Sequence, residues 1–462
     1  MSVPTSLPRF GTASSFKENP LLHLANAKRE CGDVVCLAEG TALVSRAIEC
    51  NASIAVFGHD LTRKVLSDAD TFGMPVSVSE RFALPPTLAN LNSGLFSMHG
   101  NRHRQRQRLL IPLLGSAFEV DALNMLMEAV EQFFTNWQVG REFALISEIR
   151  HFVLGLFDRL LFGHTQSGVH IGATIQRFFE YRREYAATDS RRTDEARGRL
   201  VRTGEQVDRL LKDRLRLYRE DHELRQSCVL GRLAQTTHGL AEDELVAHGN
   251  VLFMSSSEPV ATALTWALLV LSQLPALRQE LREELCGLGI TAGVPGNLAA
   301  ASLLHGVVLE VLRLAPPSAI IARLGRRPAK LGQHTLPRQC EFILSPWVAQ
   351  RDPSCFVRPG LFNPRRWDGN RPRAFEFFPF GGGVRRCLGR DAAIYCIKLG
   401  LSQMLSRYDP LLSYDQNLDW SMNLTLLPAQ DPVMLLRPPG AGAVGGRLHG
   451  AVGQLFASVV AH

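Results

Sequence analysis

The 462-residue sequence has no Cys-x-x-Cys pair, and its nine cysteines, at positions 31, 36, 50, 228, 286, 340, 355, 387 and 396, are scattered and odd in number. That pattern argues against a disulfide framework and a structural zinc site, and for a reducing compartment. Long hydrophobic runs are missing too. The first twenty residues are polar and broken by Pro4 and Pro8, with no apolar core of signal or anchor type. The most apolar segment, 260–271, contains Thr262 and Thr265 and is too short to span a bilayer, so it reads as a buried helix. A cytoplasmic protein with no membrane anchor is expected. There is no internal repeat, no low-complexity linker and no flavin or nicotinamide motif. The net charge of +7 comes from arginines spread along the chain. Without a zinc knuckle or an aromatic-interleaved basic patch, no nucleic-acid partner is expected, and a basic face for an acidic protein partner fits better.

What is present is organised around one cysteine. Cys387 lies in the run Phe380-Gly381-Gly382-Gly383-Val384-Arg385-Arg386-Cys387-Leu388-Gly389, just before a helix-like segment at 391–401. Glycines let the backbone fold tightly, approach a flat ligand and leave N–H groups free to point at a sulfur. A thiolate held by those donors, a helix N-terminus and nearby arginine is expected to have a low pKa and to ligate a metal.

Elsewhere, β-branched runs at 33–37 and 53–57 predict a small sheet, and most of the chain from there to about 273 predicts helix. Residues 72–95, rich in Pro, Ser and Asn, predict a long loop of the kind that is often functional. Residues 182–225 carry dense charge of both signs with Leu200, Leu210, Leu211 and Leu215 at helical spacing, which predicts an amphipathic surface pair. Between 242 and 274 an apolar helical pattern is interrupted by Ser255-Ser256-Ser257-Glu258-Pro259, which marks a distorted site. Glu310 and Arg313 share one face of an apolar helix at 303–314 and can pair, although Glu180 and Arg183 match the same spacing. Strand-like runs follow at 319–322 and 340–344. The expected fold is mainly α with small β-sheets (α+β), as one large domain over residues 19–437. Residues 1–18 are set apart as a polar lead, and 438–462 as a Gly/Ala-rich appendage.

The pattern Phe-x-x-Gly-x-Arg-x-Cys-x-Gly at Phe380, Gly383, Arg385, Cys387 and Gly389 resembles the haem-binding signature of the cytochrome P-450 family. The order of Glu310-x-x-Arg313, then Phe362-Asn363-Pro364-Arg365-Arg366-Trp367, then the cysteine loop is similar to that family as well. This resemblance implies haem b (iron protoporphyrin IX) ligated by Cys387, with Phe380 and Arg385 beside it and a buried triad of Glu310, Arg313 and Arg366. It further implies propionate contacts from His103 and Arg323. The usually basic position four after His103 is Gln107, with Arg104 and Arg108 as candidate replacements. Gln350-Arg351-Asp352-Pro353 resembles His-Arg-Asp-Pro with the histidine absent.

A thiolate on haem iron favours O–O cleavage, so the implied activity is a monooxygenase that hydroxylates or epoxidises a small, largely apolar molecule, as in secondary metabolism. Electrons would come from a ferredoxin or flavodoxin-type donor with its reductase. Peroxide use and a non-catalytic haem sensor are the alternatives. Implied substrate contacts are the 72–95 loop, residues 254–261, 318–321 and 424–427. Where the family usually has Ala-Gly-x-acid-Thr, this chain has Ser255 to Pro259. The acid is kept as Glu258 and the threonine is replaced by Pro259, which makes Glu258 the expected proton-relay residue.

Overall fold

A computed structural model describes residues 3–45, 47–75, 84–115, 120–164, 170–187, 193–236, 240–369, 371–422, 425–440 and 444–455. The helices that build the site are α1 (Pro86–Leu91), α2 (Gly100–Gly115), α3 (Leu145–Phe162), α4 (Ile171–Ala187), α5 (Thr193–Glu220), α6 (Glu242–Ser272), α7 (Ser302–Leu314), α8 (Arg390–Arg407) and α9 (Gly450–Leu455). A five-stranded sheet packs beside them in the order β1 (Val34–Glu39), β2 (Ala52–Val56), β5 (Cys340–Leu344), β4 (Ile321–Gly325), β3 (Phe72–Gly73). The architecture is the expected mainly helical one with small sheets.

α6 runs for 31 residues through the centre. Three acids in its first turn, Glu242, Asp243 and Glu244, suit the positive end of the helix dipole. From Val260 to Ser272 every residue is buried, so this half is apolar all round and packs on α3 and α8. The helix is not broken at Pro259. Proline there removes one i to i−4 hydrogen bond, which leaves the Ser255 carbonyl without its helical donor.

In the sheet, β2 and β5 pair in parallel with Ile54 opposite Phe342, and every residue of both strands is buried. A strand covered on both faces reads as a continuous apolar run, which is why these two are visible in the sequence. β4 begins two residues later than the apolar run at 319–322 suggests, because it is held in register by β5, with Arg323 opposite Phe342. The charged stretch predicted as a surface pair spans the end of α4 and all of α5. Its leucines 200, 211 and 215 are buried as the spacing predicts.

Two segments set apart in the sequence are packed into the body. Near the N-terminus Val3, Leu7 and Phe16 are buried, and the Phe10 N–H donates to the Cys36 carbonyl at 3.0 Å. At the other end Leu448–His449 pairs in parallel with Gln416–Asn417, and Val452 of α9 is fully buried. Residues 444–455 are therefore part of the fold, tied down by backbone hydrogen bonds that composition does not display. No single described helix is long and apolar enough to cross a membrane.

Candidate active site

The Cys387 backbone N–H donates to the Phe380 carbonyl at 2.9 Å, closing a loop around three glycines. Gly381 and Gly383 have φ of +68° and +63°. A Cβ on Gly383 would lie 2.1 Å from the Leu66 carbonyl oxygen, so only glycine lets the loop rest on that backbone. On the far side of the cysteine, Gly389 leads into α8, and nothing lies within 4 Å of where its Cβ would be.

Cys387 is exposed because it borders this open space, yet protein on its other sides raises the thiol pKa. Burial raises it most, Asp391 adds to that, and the Gly389 N–H, which lowers it, is outweighed. The low pKa expected from the sequence is therefore not met. Burial is the cause, and Arg385 does not offset it, since it donates instead to the carbonyls of Leu95 (3.2 Å) and Met98 and to His99 Nδ1 at 3.0 Å. Ionisation of this thiol is left to a bound metal, which deprotonates a thiol that coordinates it.

The loop is anchored from behind. Arg313 donates to both oxygens of Glu310, at 2.9 and 2.8 Å, and both residues are fully buried. Glu310 also accepts from Arg366 Nε at 3.3 Å, Trp367 Nε1 at 3.1 Å and the Asn363 N–H at 3.0 Å. Arg313 spends its remaining donors on the carbonyls of Gln350 (2.9 Å), Pro359 (2.7 Å) and Leu361 (3.1 Å). A buried pair is tolerable only when its spare donors and acceptors are met like this. By contrast Arg183, in the chance match, is exposed.

Cations collect on the other side of the loop. Arg323 is buried, and its one acceptor among the described residues is the Ala322 carbonyl at 2.9 Å. Burial, with Arg385 adding to it, lowers its pKa to about 10. His103 is buried on α2, and burial, Arg385, His99 and Arg104 lower its pKa to about 4, so the ring is neutral. Arg326 lies 3.1 Å from the His99 ring. Among the described residues no carboxylate pairs with Arg323, Arg326 or Arg385. Of the three only Arg323 is buried; an unpaired charge there is costly, and a ligand bearing carboxylates would relieve it.

α6 presents a wall to the same space. Leu252, Ser255, Ser256 and Pro259 fall within about a 100° arc of the helix and are all part-exposed or exposed, in the middle of a core helix. They face a cavity. The serine hydroxyls turn back on their own helix: Ser255 and Ser256 bond the Leu252 carbonyl at 3.2 and 2.8 Å, and Ser257 bonds the Phe253 carbonyl at 3.0 Å. Thr262 bonds Thr425 at 2.9 Å. Glu258 lies on the flank, and its carboxylate accepts two bonds from Arg150 of α3, at 3.1 and 2.5 Å.

A family model described as Cytochrome P450 matches residues 1–436. The chain belongs to the cytochrome P450 family. Cyclooctatin synthase of Streptomyces melanosporofaciens is 27% identical over 430 residues, covering 88% of this chain and 89% of that one. Human mitochondrial 25-hydroxyvitamin D-1 alpha hydroxylase is 34% identical over 192 residues, covering 38% of this chain and 37% of that one. Among solved structures, the cyanobacterial CYP120A1 with retinoic acid bound matches with a TM-score of 0.76 at 19% identity, covering 94% of this chain and all of that one.

The protein is thus a cytochrome P450 monooxygenase, and membership implies a haem-iron cofactor. Of the residues singled out in the sequence, Phe380, Arg385 and Cys387 share one loop and Arg385 neighbours both Arg323 and His103, and these cations suit a dianionic group. Glu258 is on the same helix but turned toward α3. Arg104 and Arg108 do not replace the missing cation of this P450, because both are exposed on the outer face of α2. Gln107 keeps the position itself, 3.5 Å from the Val384 carbonyl of the cysteine loop. His99 and Arg326 were not legible: they become neighbours only through tertiary packing. Of the implied substrate contacts, 76–83 and 424 lie outside the described residues.

Proposed function

We propose that Cys387 would ligate the iron of haem b, with Phe380 beside the group and its carboxylates held by Arg323, Arg385 and His103. The enzyme would hydroxylate or epoxidise a largely apolar small molecule, fed by a ferredoxin or flavodoxin-type donor with its reductase. The observation that carries this reading is the group of unpaired cations beside a cysteine loop that opens onto a cavity. When bound, haem with a thiolate ligand supplies O–O cleavage and oxygen transfer. A cytoplasmic role in secondary metabolism is part of the same proposal.

The chain's own part is to hold, exclude and deliver. Arg323 is oriented by its carbonyl partner and needs little reorganisation to meet a carboxylate. His103, neutral, can donate an N–H to one. Proton delivery is assigned to Glu258, because Pro259 has no hydroxyl and the serine protons are committed to helix carbonyls. Arg150 would fix the carboxylate until it takes up a proton. A cavity of about 30 Å³ beside it, bordered by Arg150, Gln176, Ser257 and Glu258, has room for about one water. General acid catalysis of this kind contributes about 10²–10⁴-fold.

A second reading, in which peroxide replaces dioxygen and external electrons, is favoured by Pro259. Glu258→Gln separates the two. It should slow reductase-driven oxidation far more than peroxide-driven oxidation. Equal losses by both routes, or none, would make Glu258 a structural partner of Arg150. Screening a compound library for spin-state changes tests the substrate class directly.

A further inference from the structure

Arg182 stands on the inward face of α4. It follows Ile175 and Phe178 by seven and four residues, and both are fully buried. Its guanidinium donates from Nη1 to Asn92 Oδ1, just past α1, and lies 4.7 Å from the centroid of the Phe179 ring. Asn92 is itself fixed, its Nδ2 donating to the Leu88 carbonyl at 2.8 Å.

The segment that follows leads to the cation group already described. The Leu91 carbonyl accepts Asn250 Nδ2 at 2.8 Å, Gly94 lies against Val251 of α6, and the Leu95 carbonyl holds Arg385 at 3.2 Å. Arg182 and Arg385 therefore grip opposite ends of one short stretch laid across α6, where its cavity face begins.

The two cations differ in what can satisfy them. Arg385 meets two carbonyls and a histidine, whereas Asn92 is the one hydrogen-bond acceptor for the five N–H donors of Arg182 among the described residues. Arg182 is part-exposed, which leaves room for a ligand beside it. Burial alone lowers the Arg182 pKa to about 10, with no neighbouring carboxylate to oppose it. A part-exposed guanidinium with donors to spare is a ready partner for an anion.

We propose that Arg182 and Asn92 form an anion subsite at the roof of the cavity, and that the substrate carries a carboxylate there with its apolar body along α6. The planar fork suits two carboxylate oxygens, and Asn92 holds it in orientation. This deepens the reading of the cavity as the substrate pocket and rests on it.

The test uses haem-loaded enzyme and two matched pairs, dodecanoic acid and abietic acid, each beside its methyl ester, with affinities measured by calorimetry. At least one acid should bind tenfold or more tighter than its ester. Arg182→Gln should remove that advantage and leave ester affinity within twofold, and Arg182→Lys, which keeps the charge, should retain most of it. The proposal is overturned if neither acid outbinds its ester in the wild type, whether both bind alike or no acid binds. Equal loss of acid and ester in Arg182→Gln also overturns it. A calorimetric advantage without any haem spin-state change keeps the subsite and removes the pocket reading instead.

Discussion

The side-chain oxygen of Gln350 accepts the backbone N–H of Phe378 at 3.0 Å, while its Nε2 donates to the carbonyls of Leu312 and Arg313 at 3.0 and 2.9 Å. One fully buried amide thus ties the end of α7 to the start of the cysteine loop. It stands where the related family pattern has histidine, and it uses both faces of its amide.

Gln350→Leu should therefore loosen the loop from its anchor. It leaves an N–H and two carbonyls short of a partner in the core, at about 1–3 kcal/mol for each group left unsatisfied. The expected result is a lower melting temperature and faster haem loss to apomyoglobin. Unchanged haem retention would show that the loop is held by its glycine turns alone.

Arg313→Ala removes one partner of a buried pair, which typically costs about 3–5 kcal/mol. Soluble yield and haem content should collapse. Arg183→Ala, at the exposed residue of the same spacing, should change neither. Equal effects would contradict the triad.

How far the sequence reached depends on where the determining contacts lie. Cys387, Gly383 and Arg385 are adjacent along the chain, and Glu310 and Arg313 are one helical turn apart, so local spacing exposes them. Gln350 and Phe378 meet across 28 residues, and nothing in either position announces the other. Arg182 sits at the edge of a densely charged stretch, which reads as solvated. Only the packing of Ile175 and Phe178 reveals that its face points inward. The Gly/Ala-rich end lacks an apolar period, because it is held by main-chain bonds such as Gly446 N–H to Leu412 O and Val452 N–H to Leu418 O, each at 2.9 Å.

That last contact set predicts that ending the chain at residue 440 will destabilise the enzyme. Burying a valine such as Val452 contributes about 1.5–3 kcal/mol, and the strand pairing with Gln416–Asn417 is lost as well. A truncated protein with an unchanged melting temperature would make residues 444–455 dispensable.

His248 of α6 gives the stability a pH dependence. It is buried, its Nδ1 has no partner among the described residues, and its Nε2 lies 3.7 Å from Glu244 Oε1. Burial lowers its pKa from 6.5, Arg106 and Arg102 act the same way, and Glu244 opposes them. The native ring is thus neutral where the unfolded one takes a proton, so its stabilising contribution is complete above pH 6.5 and is lost as the pH falls below it. Denaturant titrations should show His248→Gln with a flatter profile on that acid side. A profile identical to the wild type would assign the acid lability elsewhere.

The central claim is that the Cys387 sulfur, as its thiolate, is the atom that ligates haem iron. The most direct test is the carbon monoxide difference spectrum of the dithionite-reduced protein, recorded for the wild type and Cys387→Ser. The wild type should give the long-wavelength band of a thiolate ligand, and the variant should lose that band and all turnover. A Cys387→Ser protein that kept the thiolate band would contradict the account at its centre.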